Sequence, residues 1–260
     1  MRLFDSHCHL DDRAFDKDLG DVILRMHGAG VTSAMTIGTT FERCVKGVAI
    51  AESTPGVYAA VGIHPHDAKS CNEDVLKTLV DLAGSSSVRA WGEIGLDFNR
   101  MYSPKDIQEK WLIRQLEISE DLNLPAIFHE RDSNGRLIDI LKSHFTSGRT
   151  GVVHCFSGSE NELKRYLDLG LFIGITGIVT IKGRGEDLRK MAPSIPDDRI
   201  LIETDAPYLI PTPERNHTQR NEPAFVRSVL LKLAEVRRQD PVLLSETLWY
   251  NTCRLYNVEP

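Results

Sequence analysis

Short apolar runs alternate with longer amphipathic stretches along the whole chain. The runs fall at 3–9, 31–37, 57–62, 88–94, 126–129, 151–155, 171–175 and 200–203. They are rich in Val and Ile and often bounded by Gly or Pro, which predicts strands. Helical periodicity fills the gaps, near 18–29, 40–53, 72–84, 104–122, 133–144, 159–169 and 184–191. Two more helices, 222–238 and 241–255, follow the last strand. In the first of these, Val226, Val229, Leu230 and Leu233 recur at i, i+3, i+4 and i+7 and mark one apolar face. Pro223 suits a first helical turn, and Ser103-Pro104 reads as a cap followed by such a proline. Gly30 and Gly170 stand just past helix ends, where a left-handed cap is expected. Eight strand-helix units in 260 residues predict an α/β fold, a single (β/α)8 TIM barrel with an extra C-terminal helix. A dinucleotide-binding open sheet lacks support, because no Gly-x-Gly-x-x-Gly follows the first strand. No linker or repeat divides the chain, so 1–260 is expected to be one domain.

Composition narrows the setting. The chain has 31 basic and 37 acidic side chains, a formal net charge of −6. That balance argues against coating nucleic acid with a broad basic face, while leaving room for a local phosphate site. The five cysteines are odd in number and contain no Cys-x-x-Cys pair, which points to reduced thiols and a cytoplasmic location. No apolar run is long enough for a membrane span, and no obligate protein partner is evident.

The chemistry gathers at strand ends. His7 and His9 end the first predicted strand, Glu93 the fourth, His129 the fifth, His154 lies near the end of the sixth, and Asp205 follows the eighth. In barrel enzymes the active site is built at the carboxyl ends of the strands. Residues two apart on a strand share a face, so His7 and His9 point together and Cys8 points away. Glu203 and Asp205 share a face by the same rule. Imidazoles with carboxylates suit divalent transition metals such as Zn²⁺ or Mn²⁺. Four histidines and two carboxylates exceed the needs of one ion, and a carboxylate-bridged pair of ions uses them all. There is no Walker lysine motif and no Gly-x-Ser-x-Gly elbow.

These residues sit in recognisable motifs. Asp5-Ser-His-Cys-His-Leu10, Gly62-Ile-His-Pro65, Gly92-Glu-Ile-Gly-Leu-Asp97, His129 with Arg131-Asp132, His154-Cys-Phe-Ser-Gly158, Glu203-Thr-Asp-Ala-Pro-Tyr208 and Asn221-Glu222-Pro223 follow one another along the chain. Their order and spacing resemble the TatD family of metal-dependent deoxyribonucleases, within the amidohydrolase-like barrels. The resemblance implies a first metal held by His7, His9, Glu93 and Asp205. It implies a second held by the bridging Glu93 with His129 and His154. It implies a divalent-metal-dependent deoxyribonuclease, 3′-to-5′ exonucleolytic, with Mg²⁺ or Mn²⁺ supporting activity and Zn²⁺ a further fit. The expected substrate is DNA, as a single strand or at a 3′ end. Glu130, beside His129, departs from the smaller or uncharged residue common there.

On that reading a metal-activated water attacks phosphorus. Asp205 is expected to serve as ligand and general base. Glu203, deeper on the same face, is expected to tune protons or bind a further ion. His64 is expected to hydrogen-bond the phosphate or the leaving oxygen. His66, Arg131, Tyr208 and Arg220 are the candidate substrate contacts, with Tyr208 able to stack on a base. The alternative is a hydrolase of another ester or amide, such as a lactone, phosphotriester or aminoacyl-tRNA ester, because the barrel hosts many chemistries. A non-catalytic metal-binding module is disfavoured, since every ligand position is filled.

Overall fold

A computed structural model describes residues 1–146 and 148–259. Its eight strands form one parallel sheet in sequential order: β1 Leu3–Cys8, β2 Val31–Ile37, β3 Val57–Val61, β4 Val88–Asp97, β5 Ala126–Arg131, β6 Gly151–Val153, β7 Phe172–Ile175 and β8 Ile200–Ile202. Among the described residues the α-helices are α1 Leu19–Gly28, α2 Phe41–Ser53, α3 Glu73–Leu82, α4 Lys105–Asp121, α5 Arg136–His144, α6 Glu160–Asp168, α7 Glu186–Met191, α8 Val226–Arg237 and α9 Pro241–Tyr256. This is the expected (β/α)8 TIM barrel, with α9 as the added C-terminal helix. None of the described helices is long and apolar enough to cross a membrane.

Two apolar layers explain the pattern. Outward strand residues such as Leu3, Val31, Val61, Trp91, Phe128 and Val153 pack under the helices. Inward residues, Phe4, Met35, Ala60, Ala90, Ile127, Val152, Phe172 and Leu201, fill the barrel, and α9 plugs one end through Trp249, Cys253 and Tyr256. Strands buried on both faces read as unbroken apolar runs. The Tyr256 hydroxyl donates to the Ser6 carbonyl and ties the plug to β1.

The seam between first and last strands is closed by the residues that carry the chemistry. The Asp205 N–H donates to the His7 carbonyl at 2.9 Å, and the His9 N–H to the Ala206 carbonyl at 2.7 Å. Beneath them buried Asp5 accepts the Thr204 N–H at 2.8 Å and the Thr204 hydroxyl at 2.5 Å. Burial pushes the Asp5 carboxyl up to about 8.

Several boundaries differ from the sequence expectation for local reasons. β4 runs on to Asp97 and β5 to Arg131, because the two strands stay paired through Asp97 and Arg131. β6 stops at Val153, and Cys155 turns away with φ +49°. Ser103 does not cap α4: its hydroxyl donates to the His66 carbonyl and accepts the Lys69 N–H. Pro223 opens a 3-10 turn, Pro223–Phe225, that feeds α8 rather than starting it. Gly30 and Gly170 do take the left-handed cap conformation, with φ of +83° and +77°.

Candidate metal centre

Two register shifts decide which way the site residues face. Phe4 and Ala90 point into the barrel, and strict alternation from them turns His7 and Glu93 outward. The β1 ladder shifts between Asp5 and Cys8, and the β4 ladder between Trp91 and Ile94. Each irregularity reverses the parity, as bulges beside active sites do. His7, His9, Glu93 and Asp97 therefore face inward, while Cys8 and Ile94 join the outer layer. On β5, β6 and β8 no reversal is needed: His129, His154 and Glu203 continue the inward series of Ile127, Val152 and Leu201.

Glu93 lies at the centre. Its Oε1 is 2.9 Å from His129 Nδ1 and 3.7 Å from both His154 Nε2 and His64 Nε2. Its Oε2 is 3.5 Å from His7 Nε2. Asp205 Oδ1 lies 3.3 Å from His9 Nε2, 3.7 Å from His7 Nε2 and 3.8 Å from His154 Nε2. Ligand-capable atoms of His7, His9 and Glu93 lie within 4.8 Å of one another, and so do those of Glu93, His129 and His154. The two groups share Glu93.

Three of the rings are steered from behind. His9 Nδ1 donates to the Ile37 carbonyl at 2.9 Å. His154 Nδ1 donates to Glu203 Oε1 at 2.9 Å. His129 Nε2 faces Asp97 Oδ2 at 3.2 Å. Such partners fix the tautomer and aim the other ring nitrogen. His7 is the exception. It is fully buried, stacked on His154 with ring centroids 3.6 Å apart, and neither ring nitrogen has a hydrogen-bond partner among the described residues. A buried polar group left unpaired costs about 1–3 kcal/mol. An orphaned Nε2 between the carboxylates of Glu93 and Asp205 forms a site suited to a cation.

The charge states agree. Burial disfavours ionised Glu93, but His154, His64 and the neighbouring ring hydrogen bonds outweigh it and hold the carboxyl well below its usual range. Asp205 is held low in the same way, by His9 and His154 against burial. Burial opposes protonation of His129 and His154, yet carboxylates lift them to about 9 and about 10. His7 and His64 are pushed down by burial and by neighbouring histidines.

The other expected residues scatter more. A cavity of about 760 Å³ opens over the cluster, and His64, His66, Arg131 and Tyr208 line it with His9, Glu93, His129, His154 and Asp205. His66 Nε2 is 2.7 Å from Asp97 Oδ2. The Tyr208 hydroxyl donates to Asp12. Glu203 does not reach the cavity: its Oε1 also accepts the Cys155 N–H at 2.6 Å, behind the His154 ring. Arg220 lies apart from the cavity, paired with Asp18 and Glu222 and packed over the Phe15 ring. Asp97 and Arg100 are additions, and Arg184, after β7, lines the cavity as well. Asp97 closes the Gly92–Asp97 motif, and its place four residues after Glu93 on the same strand face was the available signal.

A parallel barrel with imidazoles and carboxylates gathered from the carboxyl ends of its strands has the architecture of a metal-dependent hydrolase. Residues 4–257 match the family described as TatD related DNase, and the chain belongs to that family. It is 38% identical over 256 residues to a protein of Cronobacter sakazakii named 3′-5′ ssDNA/RNA exonuclease TatD, covering 98% of this chain and 97% of that one. A protein of the same name from a Rahnella species is 40% identical over 257 residues, covering 98% of each. Among solved structures, the TatD homologue YJJV of Escherichia coli K12 superimposes with a TM-score of 0.89 at 31% identity, over 99% of both chains.

Proposed function

We propose that this protein is a divalent-metal-dependent nuclease whose residues 1–260 act as one hydrolase domain. In this reading it cleaves phosphodiester bonds of single-stranded nucleic acid, DNA in the first place, from the 3′ end. The names and near-complete coverage of the Cronobacter and Rahnella relatives support the substrate and the polarity. The observation that carries the reading is the buried His7, unpartnered among the described residues, with its Nε2 between Glu93 and Asp205.

His7, His9, Glu93 and Asp205 would hold one ion, and Glu93, His129 and His154 a second. The donor set fits Mg²⁺ or Mn²⁺ for activity and also accepts Zn²⁺. Bound divalent ions supply charge neutralisation at the phosphate and lower the pKa of the attacking water. Asp205, ionised and at the cavity edge, takes the proton of that water. His64, kept neutral by burial, offers a hydrogen bond to the phosphate or the leaving oxygen. Glu203 and Asp97 keep the rings of His154 and His129 aimed. Arg131, with Arg100 and Arg184, draws the polyanion to the mouth, while His66 and Tyr208 contact the nucleotide. A local cationic rim of this kind suits a protein whose overall charge is −6.

Elemental analysis after Mn²⁺ loading tests the centre. The expected content is about two ions per chain, falling in Glu93→Gln. Native protein that retains no divalent ion overturns the assignment. A parallel assay on single-stranded DNA and on a lactone and ester panel tests the substrate class. Turnover of the esters alone overturns the nuclease reading.

A further inference from the structure

The connection between β4 and α4 has an unusual division of labour. Its ends are locked. The Asn99 and Arg100 N–H groups donate to Asp97 Oδ1 at 3.0 and 2.7 Å. Ser103 is fully buried and stitched to the His66 carbonyl and the Lys69 N–H. Gln108 clamps both ends at once, donating to the carbonyls of Asp97 and Ser103 and accepting the Asp97 N–H. Between these anchors the tip presents two large apolar side chains to water: Met101 is 41% exposed and Tyr102 55%. Met101 has φ +52°, a left-handed conformation that L side chains avoid.

A tip held this firmly gains nothing for the fold by displaying Met101 and Tyr102. Tyr102 stands at the cavity wall, its ring edge-on to His66 with centroids 4.8 Å apart. Arg100, Arg131 and Arg184 line the same cavity, and none of them makes an ion pair among the described residues. Unpaired guanidiniums around an exposed aromatic ring match a polyanion that carries flat π faces. Tyr208 lies on the His9 side of the cavity, with its ring centroid 5.9 Å from that of His9. Tyr102 and Tyr208 therefore flank the histidine and carboxylate cluster.

We propose that Tyr102, carried on the locked 98–104 loop, is a stacking platform for an unpaired nucleobase beside the phosphate being cleaved, with Arg100 and Arg131 gripping the adjoining backbone. This rests on the nuclease reading above and deepens it. It makes the preference for single strands a property of the loop, because a paired base has its faces covered by its neighbours. It also makes recognition tolerant of sequence, since every base has a π face.

The experiment compares native protein, Tyr102→Phe and Tyr102→Ala on end-labelled single-stranded oligonucleotides. One substrate is intact, and the others carry one abasic site at each terminal nucleotide in turn. An oligonucleotide abasic at every position, which carries no π face, is the reference substrate. For the native protein one abasic position is expected to raise KM by about tenfold or more. Tyr102→Ala should show the same rise on the intact substrate, no further rise at that abasic position, and unchanged turnover of the reference substrate. Tyr102→Phe should behave as native. If native protein and Tyr102→Ala respond identically to every abasic site, the platform is refuted while the nuclease reading stands. If native protein cleaves neither oligonucleotide nor reference substrate, the nuclease reading falls and the platform falls with it.

Discussion

Asp97→Asn isolates what a buried carboxylate does for the centre. The two oxygens of Asp97 have separate tasks. Oδ1 accepts the N–H groups of Asn99 and Arg100, and Oδ2 faces His66 Nε2 at 2.7 Å and His129 Nε2 at 3.2 Å. Asparagine is nearly isosteric. With its carbonyl in the Oδ1 position it keeps the loop anchored and sets an NH₂ group against two ring nitrogens. Two charge-assisted hydrogen bonds are lost, each worth about 1.5–3 kcal/mol. Relaxation of the rings recovers part of that. What reaches the centre is the loss of aim at His129, and losing such a partner typically costs about 10–100-fold in metal affinity or activity. That range corresponds to about 1.4–2.7 kcal/mol. The assay pairs a Mn²⁺ titration with steady-state hydrolysis of single-stranded DNA and a thermal melt. The expected outcome is weaker Mn²⁺ binding, kcat down within that range, KM little changed and a metal-free protein that still melts cooperatively, a few degrees lower. His66→Ala serves as the comparison: His129 keeps Asp97, so Mn²⁺ affinity and most of kcat should survive, and the lost nucleotide contact should appear in KM. Mn²⁺ affinity and kcat of Asp97→Asn both within about twofold of native would refute the claim that Asp97 orients His129.

Other predictions follow from single contacts. In Gly174→Ala the new Cβ would lie 2.6 Å from Glu203 Oε2 and 2.7 Å from Oε1, driving that carboxylate off His154. A stability loss of about 1–3 kcal/mol with a fall in kcat is expected in urea melts and kinetics, and native behaviour in both would show that Glu203 does not need the space. Gly95 is more constrained, with φ +146° and a built Cβ only 2.0 Å from the His129 carbonyl oxygen. Gly95→Ala should therefore disturb the β4–β5 pairing itself, seen as loss of soluble, cooperatively melting protein. The Asp18 carboxylate is lowered to about 2 by its hydrogen bonds with Arg220 and then Arg25. A lowered folded value means a contribution that is complete above the unfolded value near 3.8 and lost as pH falls through about 2. The melting difference between native protein and Asp18→Asn should be constant above about pH 5 and shrink toward zero in acid. A difference that does not change with pH would contradict the pairing.

Much of the barrel could be read from the chain because parallel strands buried on both sides stay apolar throughout. Helix ends were marked where the chemistry is local, as at Gly30 and Gly170. The strand-end histidines stood out because polar rings ending apolar runs are conspicuous, and the structure brings all six expected metal-binding residues to one place. What stayed hidden depends on partners distant in sequence. The parity reversals in β1 and β4 arise from slips against neighbouring strands, and nothing in the local pattern announces them. Sharing a strand face with Asp205 makes Glu203 read as a group that tunes protons or binds a further ion. Its actual neighbour is the rear of the His154 ring, brought there by β6. Arg220 looked like a free cation near the active loop, yet Asp18, some 200 residues earlier, neutralises it. Tyr102 sits outside the motifs that drew attention, and its exposure becomes informative only once the anchors of its loop are seen.

The central claim is that the cluster around Glu93 uses divalent ions to cut phosphodiester bonds from a 3′ end. Its most direct test is digestion of 5′-labelled single-stranded DNA by native protein with Mg²⁺ or Mn²⁺, resolved by length over time. The account predicts a ladder shortening progressively from the 3′ end, with mononucleotide release, abolished by EDTA and in Glu93→Gln. Full-length DNA persisting with both metals, or equal cleavage by Glu93→Gln, would contradict it.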